Sequence, residues 1–366
     1  MEHPDDFLEI IFHEISGVGD DLALCAGFER GQWRNDQLAD HMMEWLPEFA
    51  LDYSELFEIG HANALRMTKK AAKIVYQTEK YGLRGEFGEL LLHIAIRQVY
   101  ETLPAVSKIY YKSAVNETVK GFDAVHVVRK GDDLELWIGE TKFYEKISRA
   151  IYDVSKEIVD HLETDYLRSE FILIKNKIDP SWPEADKLNK LLHENTSLDS
   201  VFKKACIPIL LTYDSDTVGT SICNNEEYKE KIEGEIIDAY ARLRAKIRAE
   251  YEKRFNQKFP LVVHVIFVPL KEKKQLIAAL DARLKAAEIR EKLKSDRWAI
   301  EDPFAVLSDI ASICSSSIDL GRDLVIRALE CQDLLDQSYR NILNDLTMQV
   351  GLYPYVSDLK DLSCQR

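Results

Sequence analysis

The sequence lacks the long apolar runs that a membrane-spanning helix requires. Its longest apolar stretches, such as residues 261–270, are about half the length needed to cross a bilayer. The first residues, MEHPDDFLEI, do not show the basic region and apolar stretch of a secretory signal. We therefore expect a soluble, cytoplasmic protein with no membrane partner.

Closely spaced cysteine pairs are also missing. The six cysteines are scattered along the chain, and no Cys-x-x-Cys pair occurs among them. This spacing argues against a zinc knuckle and against a disulfide scaffold. We expect the cysteines to behave as small buried apolar residues.

The chain has no excess of positive charge, since 48 Lys and Arg stand against 63 Asp and Glu, a net charge of -15. Such a charge repels nucleic acid at long range, so contact with DNA requires a local basic surface or a partner. Residues 242–258 carry seven Lys or Arg against two Glu. This segment is either a nucleic-acid contact or an ordinary solvated helix face that buries Leu243, Ile247 and Tyr251. The candidate contact residues are Arg242, Arg244, Lys246 and Arg248.

Three regions follow from the pattern of apolar residues. Residues 1–80 are predicted to be a mostly helical N-terminal subdomain, because segments such as NDQLADHMMEWL show helical spacing. Residues 81–295 alternate helices and strands, which predicts an α/β domain with a mixed sheet flanked by helices. Residues 296–366 are predicted to be an acidic, helical C-terminal extension, and no catalytic pattern is evident within it.

The central region contains the most specific local signals. GFDAVHVV and LELWIGETKF are rich in β-branched and apolar residues and flank the polar turn RKGDD, which predicts a β-hairpin. The other elements predicted there are a helix from about Leu83 to Glu101, a strand near KIYYK (108–112), a helix from about Glu145 to Leu162, and strands at 171–175, 207–213 and 261–268.

The hairpin places three charged residues close together. Asp123 lies in its first strand, and Glu140 and Lys142 lie on one face of its second strand, because side chains alternate along a strand. Hydrolysis of a phosphodiester uses a divalent cation, which carboxylate oxygens bind. Asp123 and Glu140 are therefore candidate ligands of Mg²⁺ (or Mn²⁺), and Lys142 is a candidate for orienting water and offsetting phosphate charge.

The acid-x-Lys triplet is not specific by itself, since it also occurs at Glu227, Glu272 and Asp358. Only Glu140 ends an apolar strand with an acid at the matching depth of the preceding strand. Burying three charged side chains on a sheet is costly unless they act together. The alternative is a partly buried ion pair that only ties the hairpin together.

The helix before the hairpin carries polar residues at steps of three and four among apolar neighbours. These are Glu86, Glu89, His93 and Arg97. Glu89, or else Glu86, is a candidate to complete the metal shell, and His93 and Arg97 are candidates to contact the phosphate. The alternative for His93 and Arg97 is a half-exposed helix flank.

The order of elements, with a helix acid, a strand Asp and a strand Glu-x-Lys, resembles the PD-(D/E)xK nuclease superfamily over residues 83–175. This resemblance implies a restriction-endonuclease-like αβββαβ core and a metal ligand at the backbone carbonyl of Thr141. Phe122 replaces the superfamily's proline. The spelling RGEFGELLL is similar to the first helix of RecB-like nucleases, with Glu89 where their metal-binding His stands, which favours Glu89 over Glu86.

The helical opening, RGEFGELLL, GFDAVHVV and IGETKFY together resemble more closely the HamA family, the nuclease subunits of Hachiman anti-phage systems, over roughly residues 1–295. This resemblance implies a superfamily 2 helicase partner, HamB-like, that restrains the nuclease and releases it on abnormal DNA. RDLVIRALE and GLYPYV resemble the helical lead-in of some helicase-type proteins. The extension that carries them is therefore either a helicase-docking or fused segment, or a plain helical cap.

The leading hypothesis is a Mg²⁺-dependent DNA endonuclease that acts as the effector of a helicase–nuclease defence complex. Asp123, Glu140, Glu89 and the Thr141 carbonyl would hold the metal, and Lys142 would assist the attack of water. Two alternatives stay open: a catalytically inert adaptor that keeps the nuclease fold to bind a helicase, and a sequence-specific restriction subunit.

Overall fold

The computed structural model describes residues 3–76, 85–107, 121–293, 303–330 and 337–352. The strands within these residues are β1 (Glu9–Glu14), β2 (Asp21–Cys25), β3 (Phe28–Glu29), β4 (Gln32–Trp33), β5 (Leu103–Ser107), β6 (Ala124–Lys130), β7 (Asp133–Phe143), β8 (Ala205–Asp214) and β9 (Val262–Leu270). The helices are α1 (Asn35–Ala50), α2 (Tyr53–Phe57), α3 (Ala64–Tyr76), α4 (Gly85–Tyr100), α5 (Ile147–His161), α6 (Thr164–Lys175), α7 (Ala185–Leu191), α8 (Leu198–Phe202), α9 (Asp216–Thr220), α10 (Glu226–Phe255), α11 (Lys273–Lys292), α12 (Pro303–Ser316), α13 (Ile318–Glu330) and α14 (Gln337–Gln349).

Seven of the described strands form one mixed sheet in the order β1-β2-β9-β8-β7-β6-β5. The four central strands β2, β9, β8 and β7 pair in parallel. β1 pairs antiparallel at one edge, and β6 and β5 pair antiparallel at the other. The chain is therefore an α/β protein, as predicted, with its main core between this sheet and its helices.

Different helices cover the two faces of β7. A Cβ added to Gly88 of α4 would lie 2.9 Å from Phe143 Cβ and 3.1 Å from Thr141 Oγ1, so α4 packs closely on the face of those two side chains. Side chains of α5 contact Glu140 and Lys142 instead. Because successive side chains alternate, Glu140 and Lys142 share the face of β7 that α5 covers.

The predicted hairpin and the predicted helix after it are confirmed. β6 and β7 pair from Ala124–Gly139 to Lys130–Asp133, and Gly131 in the turn has a φ of 62°. Along α5 and at its C-cap Leu162, the residues Ile151, Val154, Ile158 and Leu162 are buried at steps of three and four, and Ile147 is half-buried. The strands predicted at 207–213 and 261–268 are the parallel pair β8 and β9.

The strand predicted at 171–175 is wrong, because these residues lie in helix α6. Phe171 and Ile174 are buried, while Ile172 and Leu173 between them are 59% and 40% exposed. This three-residue spacing is helical, and a run of only four apolar residues does not distinguish a buried strand from a helix. The strand predicted near 108–112 lies outside the described residues.

The prediction that the first 80 residues are mostly helical holds for α1, α2 and α3 but is wrong for residues 9–33. These residues form β1 to β4, and β1 and β2 belong to the central sheet. β2 pairs in parallel with β9, about 240 residues later in the chain, from Asp21–Val265 to Ala23–Phe267. β1 and β2 also pair with each other as a local antiparallel hairpin from Glu9–Cys25 to Glu14–Asp21, so a short-range signal was present that the prediction from sequence missed.

The chain divides into two compact units, residues 1–276 and 277–366. The second unit is helical in its described part, and helices α12, α13 and α14 pack with the end of α11 around an apolar cluster that includes Leu307, Ile310, Leu324 and Leu346. The predicted boundary between residues 295 and 296 lies outside the described residues.

The sequence predicted buried cysteines and no membrane-spanning helix. Cys25, Cys206 and Cys314 are buried and unpaired, as predicted, whereas Cys223 is exposed. No helix within the described ranges combines the length and the apolar character needed to cross a membrane.

A buried ionic network joins α1, α4 and β6. Glu48 of α1 contacts Arg97 at 2.6 Å and His93 at 3.1 Å, both on α4. His93 Nδ1 lies 3.2 Å from His126 Nε2, whose ring also meets the hydroxyl of Thr102 at 2.8 Å. Burial raises the pKa of Glu48, but His93 and Arg97 outweigh it and lower this pKa to about 2. The network therefore depends on an ionised Glu48.

We predict that Gly19→Ala destabilises the first unit by about 2–4 kcal/mol. Gly19 has a φ of +116°, and a Cβ there would lie 1.9 Å from the carbonyl oxygen of Val263, where β2 meets β9. Gly17→Ala is the matched control, since a Cβ at that position meets nothing within 4 Å. Urea unfolding of both variants checks this, and equal midpoints would contradict it.

We also predict that Glu48→Gln destabilises the protein at pH 7 by roughly 3 kcal/mol, and that this difference shrinks as the pH falls from about 4.5 towards 2. The folded-state pKa is depressed, so the stabilisation is present above the unfolded pKa and is lost on acidification. Glu44→Gln on the same helix is the control, because Glu44 is 63% exposed. Urea midpoints at pH 7 and pH 3 measure both, and a gap independent of pH would refute the role of the charge.

Candidate active site

Asp123 is held against β7 where the hairpin ladder ends. The last paired residues of β6 and β7 are Ala124 and Gly139. Asp123 donates its backbone N–H to the Gly139 carbonyl at 2.8 Å, and its Oδ2 accepts from the Thr141 N–H at 2.8 Å. These two bonds fix the carboxylate of Asp123 beside the segment that carries Glu140.

Glu140 is completely buried and only partly satisfied. Nδ1 of His161 lies 2.6 Å from its Oε1, whereas its Oε2 is buried without a hydrogen-bond partner. Burial and the charge of Asp123 raise the pKa of Glu140 to about 7, although His161 and Lys142 act in the opposite direction. The carboxylates of Asp123 and Glu140 are therefore close enough to repel each other, which is the arrangement that favours a bound cation.

Lys142 completes the predicted trio. Its side chain is 12% exposed, and its Nζ forms an ion pair with Glu157 of α5. Burial lowers the pKa of Lys142, but the charges of Glu140, Asp123 and Glu157 raise it overall. Lys142 is therefore a protonated ammonium group beside the two strand acids.

His161 and Glu157 were not found from the sequence. They lie four residues apart on α5. The His161 ring stacks on Tyr166 with ring centroids 4.6 Å apart and packs edge-to-face with Phe122, with ring centroids 5.2 Å apart. One signal was available: His161 is three residues after Ile158, so it continues the buried stripe of this helix. A titratable side chain in that stripe indicates a buried partner on the sheet.

The two helix acids belong to α4, which packs on the other face of β7 from α5. Glu86 and Glu89 are half-buried on α4, which packs against the Thr141 and Phe143 face of β7. Glu140 and Lys142 occupy the opposite face. The structure therefore does not place Glu89 on the side of the sheet where the two strand residues lie, and its role as a metal ligand stays a prediction.

His93 and Arg97 were predicted as phosphate contacts or as a half-exposed flank. Their burial shows that the half-exposed flank is wrong, while the phosphate contact stays a prediction, and both residues line a cavity together with Asp123. Their side chains are 3% and 5% exposed and pair with Glu48 in the buried network described above. The polar stripe on α4 does face something specific, but that partner is Glu48 of α1 and His126 of β6. Glu48 lies too far away along the chain for local spacing to reveal it.

The basic segment at residues 242–258, which begins in α10, contains both buried and exposed side chains. Leu243, Ile247 and Tyr251 are buried, as predicted. The guanidinium of Arg244 binds the carboxylate of Asp21 and the carbonyls at the β2–β9 junction, so it is engaged within the protein. Lys246 Nζ lies 3.9 Å from the ring centroid of Tyr152 on α5. The remaining two candidates, Arg242 and Arg248, are exposed.

The donor atoms fit a cation that keeps several water ligands. Within the described ranges, no three His, Cys, Asp or Glu side chains group together in a way that could hold a metal ion. Asp123 and Glu140 supply two carboxylates, and the unpartnered Oε2 of Glu140 is a buried acceptor without a donor. Because the N–H of Thr141 faces Asp123, its carbonyl leaves the strand on the same side. Mg²⁺ is commonly bound by one or two carboxylates with water and substrate phosphate.

Known proteins match both parts of the chain. The family model for HamA matches residues 2–284, and the model for the anti-bacteriophage protein B N-terminal domain matches residues 284–366. The chain is also similar to anti-bacteriophage protein A of Escherichia coli (strain K12), at 27% identity over 156 residues. That match covers 37% of this chain and 28% of the relative, so the chain spans less than a third of the relative's length. Because the HamA model covers well over half of the sequence, the chain belongs to the HamA family.

Proposed function

We propose that the chain is a Mg²⁺-dependent DNA endonuclease, the effector of an anti-phage complex that hydrolyses phosphodiester bonds when a superfamily 2 helicase releases or activates it. The observation that carries this proposal is the buried Glu140, which has one carboxylate oxygen without a partner and lies beside Asp123 and Lys142. Without a cation, burial and Asp123 shift this carboxyl towards its neutral form, whereas a bound cation would favour the ionised form and occupy the oxygen that has no partner.

The order of the elements supports the nuclease assignment. Helix α4, strands β5, β6 and β7, helix α5 and strand β8 follow the αβββαβ order of the restriction-endonuclease-like core, with α6, α7 and α8 inserted before β8. Asp123 precedes the second of these three strands, and Glu140 and Lys142 lie near the end of the third. This is the placement that the PD-(D/E)xK resemblance implies.

In the proposed reaction, some site residues would bind the cation and Lys142 would act on the water and the phosphate. Asp123, Glu140 and the Thr141 carbonyl would hold the cation, which when bound polarises the phosphate and lowers the pKa of a water. Lys142 is placed to orient the attacking water and to offset the negative charge that develops on the phosphate oxygens. The water oxygen bonds to phosphorus and releases a proton to solvent, the bond from phosphorus to the departing sugar oxygen breaks, and that oxygen takes up a proton from solvent.

The defence role and the partner rest on the family and on the second match. The E. coli relative is named an anti-bacteriophage protein, and this chain also contains a segment similar to the N-terminal domain of a second protein named for the same activity. Because one chain contains sequences related to both proteins, we infer that the two proteins act together. The net charge of -15 supports control by a partner, because it gives the chain no general attraction to DNA.

We predict that Glu140→Gln and Lys142→Ala each lower Mg²⁺-dependent plasmid cleavage by at least about 100-fold. Glu227→Gln is the matched control, since Glu227 belongs to another acid-x-Lys triplet but is exposed on α10. Cleavage is measured with Mg²⁺ and with chelator, for the chain alone and with its helicase partner present.

Equal cleavage by wild type and Glu140→Gln would refute the site. Stable co-elution with the helicase but no Mg²⁺-dependent cleavage under any condition would favour the inert adaptor. Discrete fragments would favour a sequence-specific restriction subunit, whereas the endonuclease proposed here gives nicked, linear and then smeared products.

A further inference from the structure

The face of α5 that meets β7 carries two polar side chains, and each contacts one residue of the Glu-x-Lys motif. His161 meets Glu140, and Glu157 meets Lys142. We propose that His161 is a positioning residue: it fixes one oxygen of Glu140 so that the other is held ready to bind the catalytic cation. This inference rests on the proposed function and adds a residue that the Glu-x-Lys motif does not contain.

The contact is asymmetric in a way that points to a ligand. His161 Nδ1 lies 2.6 Å from Oε1 of Glu140, while Oε2 is buried with no hydrogen-bond partner. A carboxylate with only a structural role lowers its burial cost by satisfying both oxygens. Holding one oxygen fixes the direction of the other, and outer-shell hydrogen bonds of this kind orient carboxylate ligands in metalloproteins.

His161 is itself held rigidly. Its side chain is 7% exposed, its ring lies parallel to Tyr166 within 4°, and Phe122 contacts it at an interplanar angle of 73°. Phe122 is also the residue directly before Asp123. The His161 ring therefore packs on the neighbour of Asp123 and forms a hydrogen bond with Glu140.

The spacing of the two contacts fixes the helix against the strand. Glu157 and His161 are four residues apart, a rise of about 6 Å along a helix. Glu140 and Lys142 are two residues apart, about 6.6 Å along a strand. Because His161 meets Glu140 and Glu157 meets Lys142, the helix runs antiparallel to β7 with matched spacing. Neither contact can slip by one residue without breaking the other.

The test is Mn²⁺ binding to the full chain by isothermal titration calorimetry, with Mn²⁺-dependent cleavage measured in parallel. His161→Ala is expected to weaken Mn²⁺ binding by about 10- to 100-fold. His161→Asn is expected to recover most of the affinity, because its amide nitrogen occupies nearly the position of Nδ1. His161→Gln carries its amide one bond further away and is expected to recover less. His41→Ala, which removes another buried ring on α1, is the control and should leave the affinity unchanged.

The outcomes separate the two proposals. If wild type binds no Mn²⁺, or if Glu140→Gln binds it equally well, the metal site itself is refuted. If wild type binds Mn²⁺, Glu140→Gln does not, and the His161 variants bind like wild type, only the positioning role is overturned. Faster cleavage by His161→Ala would also overturn it, since His161 would then restrain Glu140. Should His161→Ala fail to fold, the ranking of Asn above Gln decides the question.

Discussion

Strand β7 sets the physical constraint on which the rest of the molecule depends, because it is paired at both edges and covered on both faces. β6 joins it through an antiparallel ladder and β8 through a parallel one. Glu140 lies in this strand with no exposed surface. A carboxylate in such a position has lost its hydration, so neighbouring groups must balance its charge. Lys142 and His161 balance that charge, whereas Asp123 adds a second negative charge beside it.

The part of this arrangement that local sequence predicts is the hairpin. The polar turn at residues 129–133 and the alternation around it bring Asp123, Glu140 and Lys142 together, since adjacent strands joined by a short turn have a fixed register. Periodicity also predicts helix α5 and its apolar stripe. These features depend on residues close to one another in the chain, and the structure contains them within three residues of their predicted bounds.

The remaining parts depend on partners that local spacing does not encode. His161 meets Glu140 only because α5 folds back on β7, and Glu48 reaches Arg97 from another helix 49 residues away. β2 pairs with β1 in a local hairpin and with the distant β9, and only the second of these pairings is beyond the reach of local spacing. In α6, four consecutive apolar residues fit a strand as well as a helix, and only the buried pair Phe171 and Ile174 distinguishes the two.

The negative charge of the chain affects how the proposed active site meets DNA. Around the proposed cation stand Asp123, Glu140 and Glu157 with one balancing ammonium group, Lys142, and the chain as a whole carries a net charge of -15. A polyanionic substrate therefore meets repulsion both at a distance and near the site until a cation binds. On the proposed function, the affinity for DNA must come from another surface, which we propose the helicase partner supplies. Segments matching HamA and the anti-bacteriophage protein B N-terminal domain occur in one chain, and covalent linkage raises the effective concentration of one for the other. A nuclease of this kind would cleave where its partner delivers DNA rather than wherever DNA is present.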